Sequence, residues 1–455
     1  YGDGFVAGIN MAPLNRSTFA KLCPARYLTF TIPHPTNPNR LLRFAVLDSP
    51  NISAVTSGAQ VAALVVPHGR ESDWIFSTKF GHVQLLHSSM APISRLILVG
   101  EIPVGFPEQP SPRSFKTVRD PSWNQTLVDI VRPLFPLFSP ESAFESLDVG
   151  GVVVVDYEDD VVSSLVLEIC CGEFVGEMLV EDVEIDLGTE CRGGGVSRRD
   201  FRRRLRFKRM PNLVQTAIRV VPETEEPLKF EIDVHNLVYM TLMVAATSLI
   251  EDLIDCHASS GSKPRALCLG VGGGALLTFL SFRLGFEVFG VEIDKEVVRI
   301  ATKYFGLGAC AAQVFVGSAR EFVNDFPTRN SAKFDVIMVD LDASNTEGGG
   351  SAPPSEFAGE EFLLSARAIL ASSGIIVVNV IALLPSFYDQ MKTEFVKVFD
   401  ELYEIDAENG ENVVLIARKT HAQSSSSSQH ETSGYSKMLR TAISGRGMDS
   451  IRRIC

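Results

Sequence analysis

The chain has 455 residues, of which 45% are hydrophobic and 21% are charged. At roughly 150 residues per domain, this length predicts two or three domains with a large buried core, and the composition excludes a disordered or fibrous protein. The formal net charge is −13. Such acidity argues against binding of a nucleic-acid backbone or an anionic membrane as the main function, because both carry negative charge.

Cysteine usage and apolar segments indicate the cellular environment. The eight cysteines contain no Cys-x-x-Cys pair, so we expect neither a zinc site nor a disulfide framework. The longest apolar stretches, residues 237–250 and 375–384, are shorter than the ~20 residues that a membrane-spanning helix needs. The chain begins with Tyr and shows no signal peptide, which is compatible with a fragment of a longer chain. We expect a soluble, cytoplasmic protein without a bound metal.

The first half of the chain has the pattern of a β-rich region. Between residues 27 and 154, short β-prone runs alternate with Pro, Gly and Ser. Further on, the basic run RRDFRRRLRFKR (198–209) follows the acidic segment VEDVEID (180–186). A nucleic-acid or nuclear-import role is one interpretation, but the alternation in RLRF favours a strand paired with the acidic segment across a hairpin. We assign residues 1–207 to a β-rich N-terminal region.

From Pro264 onwards, apolar strand-like runs alternate with helix-like segments, which predicts an α/β fold with a parallel sheet covered on both faces. The predicted strands are RALCLGV, EVFGVEI, AQVFVGS, FDVIMVDL and GIIVVNVI. The predicted helices between them are LLTFLSFRLG, KEVVRIATKYFG, AREFVNDF and EEFLLSARAILASSG. We therefore predict a Rossmann-like domain at residues 208–420, followed by a Ser-rich linker and flexible tail at residues 421–455.

A glycine-rich loop, with Gly270, Gly272 and Gly274, joins the first predicted strand to a helix. Such glycines allow a tight turn and let a cofactor approach main-chain N–H groups at the start of the helix. Glu292, at the end of the second strand, can accept hydrogen bonds from both hydroxyls of a ribose. The loop alone fits both a dinucleotide-binding pattern and a methyltransferase pattern.

Polar residues also follow the third and fourth strands: Ser318 with Ala319, and Asp340 with Asp342. Open α/β sheets bind ligands at the carboxyl ends of their strands, so these residues and the glycine loop predict one site. The ends of the four predicted strands carry, in order, glycines, an acid for ribose, residues for adenine and an acid that faces the substrate. This is the order of class I methyltransferases and related aminopropyltransferases. A nicotinamide enzyme has no need for Asp-x-Asp here. We predict catalytic roles for Asp340 and Asp342; the alternative is that they only cap the next helix.

Several segments resemble the carboxyl-terminal half of the methyltransferase-like protein 13 family, lysine and N-terminal methyltransferases of translation elongation factor 1-alpha. These segments are VEIDKEVVRIATKYFG, FDVIMVDLDASN, APPSEF, GIIVVNVI and, upstream, VPHGRE with Trp74 and Phe76, VEDVE, FRRRLRF and NLVQ. The resemblance covers about residues 27–420 and implies a spermidine synthase-like class I methyltransferase fold.

This resemblance implies S-adenosylmethionine as the cofactor and a protein as the substrate. It implies that the cofactor-binding residues are Gly270, Gly272, Gly274, Glu292, Ser318 and Ala319, with Gln215 at a position that touches cofactor in the related spermidine synthases. The implied methyl acceptor is the N-terminal α-amino group, or a lysine, of elongation factor 1-alpha.

Departures from the family pattern keep two other functions open. Ser318 stands where the third strand usually offers an Asp to adenine. Because of this substitution, one alternative is an inactive adaptor protein that keeps the methyltransferase fold. The other is a spermidine synthase-like aminopropyltransferase. Against it, Ala343 replaces the second acid that a diamine needs, and Asn236 and a structural His235 replace the Tyr-His-Glu motif. The sequence does not predict an oligomeric state.

Overall fold

The structure of the protein is a computed structural model. It describes residues 16–50, 60–87, 93–105, 115–117, 121–143, 152–155, 157, 161–187, 199–210, 213–221, 229–231, 238–329, 332–343, 350–382, 385–407, 412–420 and 433–455. The chain divides into two compact units. The first comprises Tyr1–Ile169, Glu181–Phe201 and Arg206–Val214, and the second comprises Cys170–Val180, Arg202–Leu205 and Gln215–Cys455. The domain boundaries predicted from the sequence stay predictions.

Up to residue 155, the described helices and strands belong to the first unit. They are α1 (Arg16–Phe19), β1 (Tyr27–Pro33), β2 (Arg40–Asp48), β3 (Val61–Val65), α2 (Trp74–Ser77), α3 (Lys79–His87), β4 (Arg95–Pro103), β5 (Phe115–Thr117), α4 (Pro121–Val131), α5 (Phe135–Phe138) and β6 (Val152–Val155). A sheet forms in the order β1-β2-β4-β3-β6. β3 runs parallel to both β4 and β6, whereas the remaining pairs are antiparallel.

Strand β3 is covered on both faces. Val61, Ala63 and Val65 pack with residues of α4 and α5, whereas Ala62 and Leu64 pack with residues of α2 and α3. This alternation explains the uninterrupted apolar run, since successive side chains of a strand point to opposite faces. Helices α2 and α3 are absent from the sequence predictions, because VPHGRESD is rich in residues typical of turns.

Five strands follow: β7 (Val161–Gly172), β8 (Gly176–Asp186), β9 (Arg199–Phe207), β10 (Val214–Val221) and β11 (Lys229–Glu231). They form a sheet with β5 in the order β11-β10-β9-β8-β7-β5. The basic run is strand β9, and Arg206 Nε lies 2.9 Å from Glu181 Oε1 of β8, with both residues buried. The interpretation of this run as a strand paired with the acidic segment is confirmed.

The second unit continues with the alternating part of the chain. Its elements are α6 (Val238–Ala245), α7 (Glu251–Ser260), β12 (Arg265–Leu269), α8 (Ala275–Leu284), β13 (Glu287–Glu292), α9 (Lys295–Tyr304), β14 (Gln313–Val316), α10 (Ala319–Arg329), β15 (Phe334–Val339), β16 (Gly350–Ala352), α11 (Glu360–Ile369), β17 (Leu370–Ala382), α12 (Pro385–Val398), β18 (Glu401–Asp406), β19 (Asn412–Arg418), α13 (Gly434–Ala442) and β20 (Arg452–Arg453).

The large sheet has the order β14-β13-β12-β15-β17-β19-β18-β20, and β16 pairs with β17. The first five of these strands are parallel, and β19 is inserted antiparallel beside β17. This is the Rossmann-like class I methyltransferase arrangement, as predicted. The chain order reverses direction between β12 and β15, and ligands bind at such a switch point, at the carboxyl ends of the strands.

The end of the chain differs from the predicted flexible tail. Residues 421–432 lie outside the described residues, but from Ser433 the chain forms α13 and then β20, which pairs with β18. Tyr435, Leu439 and Ile443 are buried and recur every four residues, the spacing of one helix face. The Tyr435 hydroxyl lies 2.7 Å from Thr247 Oγ1, so apolar packing and this contact hold the segment.

Among the helices of the described residues, none is long and apolar enough to cross a membrane. The same residues contain no group of three or more His, Cys, Asp or Glu side chains arranged to hold a metal ion.

Candidate functional site

The glycine loop follows β12 and turns the chain into α8. Gly270, Gly272 and Gly274 have φ angles of +90°, +51° and +81°, in the region that side chains disfavour. A Cβ atom on Gly270 would lie only 2.0 Å from the backbone oxygen of Asp340. Two residues predicted for one site, one after β12 and one after β15, therefore lie in direct contact.

Glu292 ends β13 and is tied to the same loop. Its carboxylate accepts hydrogen bonds from the backbone N–H of Val271 and of Asp294, both at 3.1 Å. Burial raises the pKa of Glu292, and the backbone N–H groups act in the opposite direction by stabilising the ionised form. The loop and the predicted ribose acid are thus one hydrogen-bonded unit.

Strand β10 supplies Gln215 and Thr216. The buried Thr216 hydroxyl accepts a hydrogen bond from Gly273 N at 2.8 Å and donates one to Gln215 O at 2.7 Å. A Cβ atom on Gly273 would lie 2.6 Å from Thr216 Cγ2. The amide nitrogen Nε2 of Gln215 is buried and finds no hydrogen-bond partner among the described residues, which leaves both of its N–H groups to donate to a ligand.

Ser318 and Ala319 lie where α10 begins. The Ser318 hydroxyl accepts a hydrogen bond from Glu321 N at 3.3 Å, which caps the helix, and Ala319 is buried. Gly317 N donates to Glu292 O at 2.8 Å and so joins the β13 and β14 strand ends. The structure thus brings these residues to the edge that carries Glu292, and their adenine contact stays a prediction.

Asp340 follows β15 and is contacted on both carboxylate oxygens. Asn379 Nδ2 donates to Oδ1 at 3.0 Å, and the Tyr239 hydroxyl donates to Oδ2 at 3.3 Å. In turn, Asn412 Nδ2 donates to Asn379 Oδ1 at 2.9 Å. Burial, together with the charge of Asp342, raises the pKa of Asp340 to about 6, although the two donated hydrogen bonds lower it. Such a carboxylate can hold an ammonium group or accept a proton near neutral pH.

Four residues of this site are absent from the sequence predictions: Thr216, Tyr239, Asn379 and Asn412. One signal was available, because Asn379 interrupts the otherwise apolar run GIIVVNVI, and a buried polar residue needs a partner. Tyr239 gives no such signal. Ala343, where an aminopropyltransferase would need its second acid, is buried, whereas His235 and Asn236 lie outside the described residues.

The sequence comparisons give relatives of one kind over most of the chain. The "eEF1A lysine and N-terminal methyltransferase" of Xenopus laevis is 25% identical over 405 residues, which cover 82% of this chain and 53% of the relative. The Homo sapiens protein is 24% identical over 412 residues, with the same shares. A "Polyamine aminopropyltransferase" of Vibrio vulnificus is 32% identical over 163 residues, 34% of this chain and 50% of the relative. No family model matches the chain.

Two solved structures resemble the chain. Human methyltransferase-like protein 13 in complex with SAH is 22% identical, covers 45% of this chain and 92% of its own, and has a TM-score of 0.39. A probable spermidine synthase from Corynebacterium glutamicum is 19% identical, covers 63% and 89%, and has a TM-score of 0.42. The strand order of the second unit is itself the observation that identifies the fold.

The chain spans about half the length of the curated relatives it matches. The resemblance predicted from the motifs is confirmed by the relatives named eEF1A lysine and N-terminal methyltransferase, which match over 82% of the residues of this chain.

Proposed function

We propose that the chain is an S-adenosylmethionine-dependent methyltransferase that methylates the N-terminal α-amino group, or a lysine, of translation elongation factor 1-alpha. The observation that carries this proposal is the contact between the glycine loop and Asp340 at the switch point of the sheet. It sets an amine-binding carboxylate beside a loop suited to a cofactor. The names of the relatives support the same reaction and the same substrate.

The residues present fit S-adenosylmethionine. The Gly272 backbone keeps a conformation that only glycine adopts readily, Glu292 offers carboxylate oxygens for ribose hydroxyls, and Gln215 Nε2 is a buried donor with no partner among the described residues. Gly270, Gly274, Ser318 and Ala319 complete the proposed cofactor-binding set. When bound, this cofactor supplies a methyl group on a positively charged sulfonium, which suits a site with several acidic side chains.

The work of the chain is to position a neutral amine. An α-amino group has a pKa of about 7.7 to 8.0, whereas a lysine has one of about 10.4, so an N-terminus loses its proton much more readily at neutral pH. Asp340, with a pKa raised to about 6, is ionised at that pH and can hold the ammonium form while its proton leaves to solvent. Asp342 adds charge next to it. In-line transfer then depends mainly on orientation.

The acceptor is a protein in this proposal for two reasons. A net charge of −13 suits a basic partner better than a nucleic acid or a membrane. The buried Ala343 offers no charge to the distal ammonium of a diamine. Translation elongation takes place in the cytoplasm, which is where we locate the protein.

A second candidate, the aminopropyltransferase, is favoured by the Vibrio vulnificus relative, which is 32% identical over 163 residues. An aminopropyltransferase would use the same cofactor-binding residues, so the identity of the acceptor distinguishes the two reactions. An inactive adaptor is the third outcome that an experiment can return.

The test supplies the protein with labelled S-adenosylmethionine and elongation factor 1-alpha, either with a free N-terminus or acetylated there. Mass spectrometry of the N-terminal peptide should find methyl groups only on the free form, and a lysine acceptor would instead label both forms. The control reaction contains putrescine and decarboxylated S-adenosylmethionine. Product in that control would show that the protein is an aminopropyltransferase. The absence of product in every reaction would favour the inactive adaptor.

A further inference from the structure

The Asp340 carboxylate receives its two hydrogen bonds from different elements. Asn379 belongs to β17 and donates to Oδ1, whereas Tyr239 belongs to α6 and donates to Oδ2, at 3.0 and 3.3 Å. Asn379 is itself held by Asn412 of β19 at 2.9 Å, and both asparagines are buried. Donors on both oxygens fix the plane of the carboxylate.

The remaining capacity of this carboxylate matches one ammonium group. An ionised carboxylate offers about four lone-pair positions, and an ammonium offers three N–H donors. After the bonds from Tyr239 and Asn379, each oxygen keeps a lone pair, so a single ammonium can still bind. Without the Tyr239 hydroxyl, Oδ2 could rotate away or keep a proton of its own.

We propose that Tyr239 is a positioning residue, whose hydroxyl fixes and keeps ionised the Asp340 carboxylate that holds the acceptor amine. This inference rests on the proposed function. The tyrosine acts as a donor and not as a base, because burial raises the pKa of Tyr239 well above its usual value and the nearby Asp340 and Asp342 charges raise it further.

Among the described residues, three other groups interact with Asp340. Asp342, on the same loop, raises the pKa of Asp340, whereas Asn379 lowers it by donating to the ionised form. Cys268 of β12 interacts electrostatically with Asp340, and burial raises the pKa of its thiol so far that it stays neutral. Tyr239 is therefore the titratable neighbour that stabilises the ionised carboxylate by a hydrogen bond.

The variant Tyr239→Phe tests this role, since it removes the hydroxyl and keeps the ring. We expect the midpoint of Asp340, followed by carbon-13 NMR of the aspartate carboxyl groups and assigned with Asp340→Asn, to rise from about 6 by about one pH unit. The acid limb of the methyl-transfer rate contains two ionisations, that of the acceptor amine at about 7.7 to 8.0 and that of Asp340; the lower of the two should rise by the same amount, and higher pH should restore the rate. Tyr403→Phe is the matched control, because its hydroxyl donates to Glu401 at 3.1 Å.

An Asp340 midpoint that stays unchanged in Tyr239→Phe would overturn the inference. So would a shifted midpoint without a shift of the lower ionisation in the acid limb, because the charge of Asp340 would then not matter for the reaction. If the wild-type chain transfers no methyl group, the proposed function fails, and the carboxyl titration still decides whether Tyr239 controls the ionisation of Asp340.

Discussion

Gly270 and Asp340 are in contact through their backbones, with only 2.0 Å between the position of a Cβ atom on Gly270 and the Asp340 oxygen. The loop after β12 therefore has to be glycine at this position for a steric reason as well as for its φ angle of +90°. A side chain there would force apart the two strand ends that form the site.

Gly270→Ala should abolish cofactor binding and lower the melting temperature of the protein. The matched control is Gly285→Ala, with a φ angle of +73° and no atom within 4 Å of its Cβ position. The control substitution should lower the free energy of unfolding by only ~1–2 kcal/mol, the cost of placing a side chain in a left-handed conformation. Its affinity for S-adenosylmethionine, measured by calorimetry, should equal that of the wild type. Equal effects of both variants would contradict the close-contact explanation.

Thr216→Val should weaken cofactor binding by loosening the glycine loop. The change leaves the buried Gly273 N–H without its acceptor, which costs about 1–3 kcal/mol. Thr278→Val is the control, since this equally buried hydroxyl donates to Gly274 O at 2.6 Å within the first turn of α8, and that oxygen also accepts from Thr278 N. Calorimetry with S-adenosylmethionine should separate the variants, and identical affinities would argue against a supporting role for β10.

The parallel sheet could be predicted from the sequence because its strands are buried on both faces and therefore read as apolar runs. The glycines and acids at the strand ends stand out in the sequence for a related reason, because the apolar runs stop there, and their assignment to a binding site stays a prediction. Thr216 and Tyr239 could not, because their partners Gly273 and Asp340 are 57 and 101 residues away in the chain. No local pattern encodes those contacts.

Asp340→Asn should lower methyl transfer by roughly 10²-fold or more, the usual size of an acid–base contribution, while S-adenosylmethionine affinity changes little. The reason is that Asp340 lies at the end of β15, where it faces the acceptor in our proposal, and an amide cannot balance the charge of an ammonium. Single-turnover kinetics and calorimetry measure the two effects separately. Full activity of Asp340→Asn would contradict this role and would favour the alternative given in the sequence analysis, that Asp340 only caps the next helix.

The first unit contains a buried acid for which the described residues supply no ion pair. Glu71, in the VPHGRE motif after β3, is 8% exposed, and its Oε1 finds no hydrogen-bond partner among the described residues. It lines a pocket with His82, Phe76 and Arg43. Burial raises the pKa of Glu71 to about 7, although backbone N–H groups of Gly69 and Glu71 oppose this. The folded state therefore prefers the protonated acid.

Glu71→Gln should stabilise this unit at alkaline pH. A folded pKa of about 7 against an ordinary 4.5 means that the stabilising contribution of Glu71 is present below pH 4.5 and is lost as the pH rises through 7. At pH 8 the wild type should thus lack about 3 kcal/mol that the variant keeps. The pKa of His82 is lowered to about 4, so the folded protein loses stability as the pH falls from 6.5 to 4. This effect is the same in the wild type and in the variant.

Urea unfolding followed by tryptophan fluorescence measures this effect, because Trp74 and Trp123, the two tryptophans of the chain, both belong to the first unit. The quantity to compare is the free energy of unfolding of Glu71→Gln minus that of the wild type, which should grow from pH 4.5 to pH 7. Glu101→Gln is the control: Glu101 is 7% exposed but lies 3.5 Å from Arg40 Nε, so its loss should destabilise the unit at alkaline pH. A pH-independent difference for Glu71→Gln would mean that Glu71 stays ionised in the folded protein.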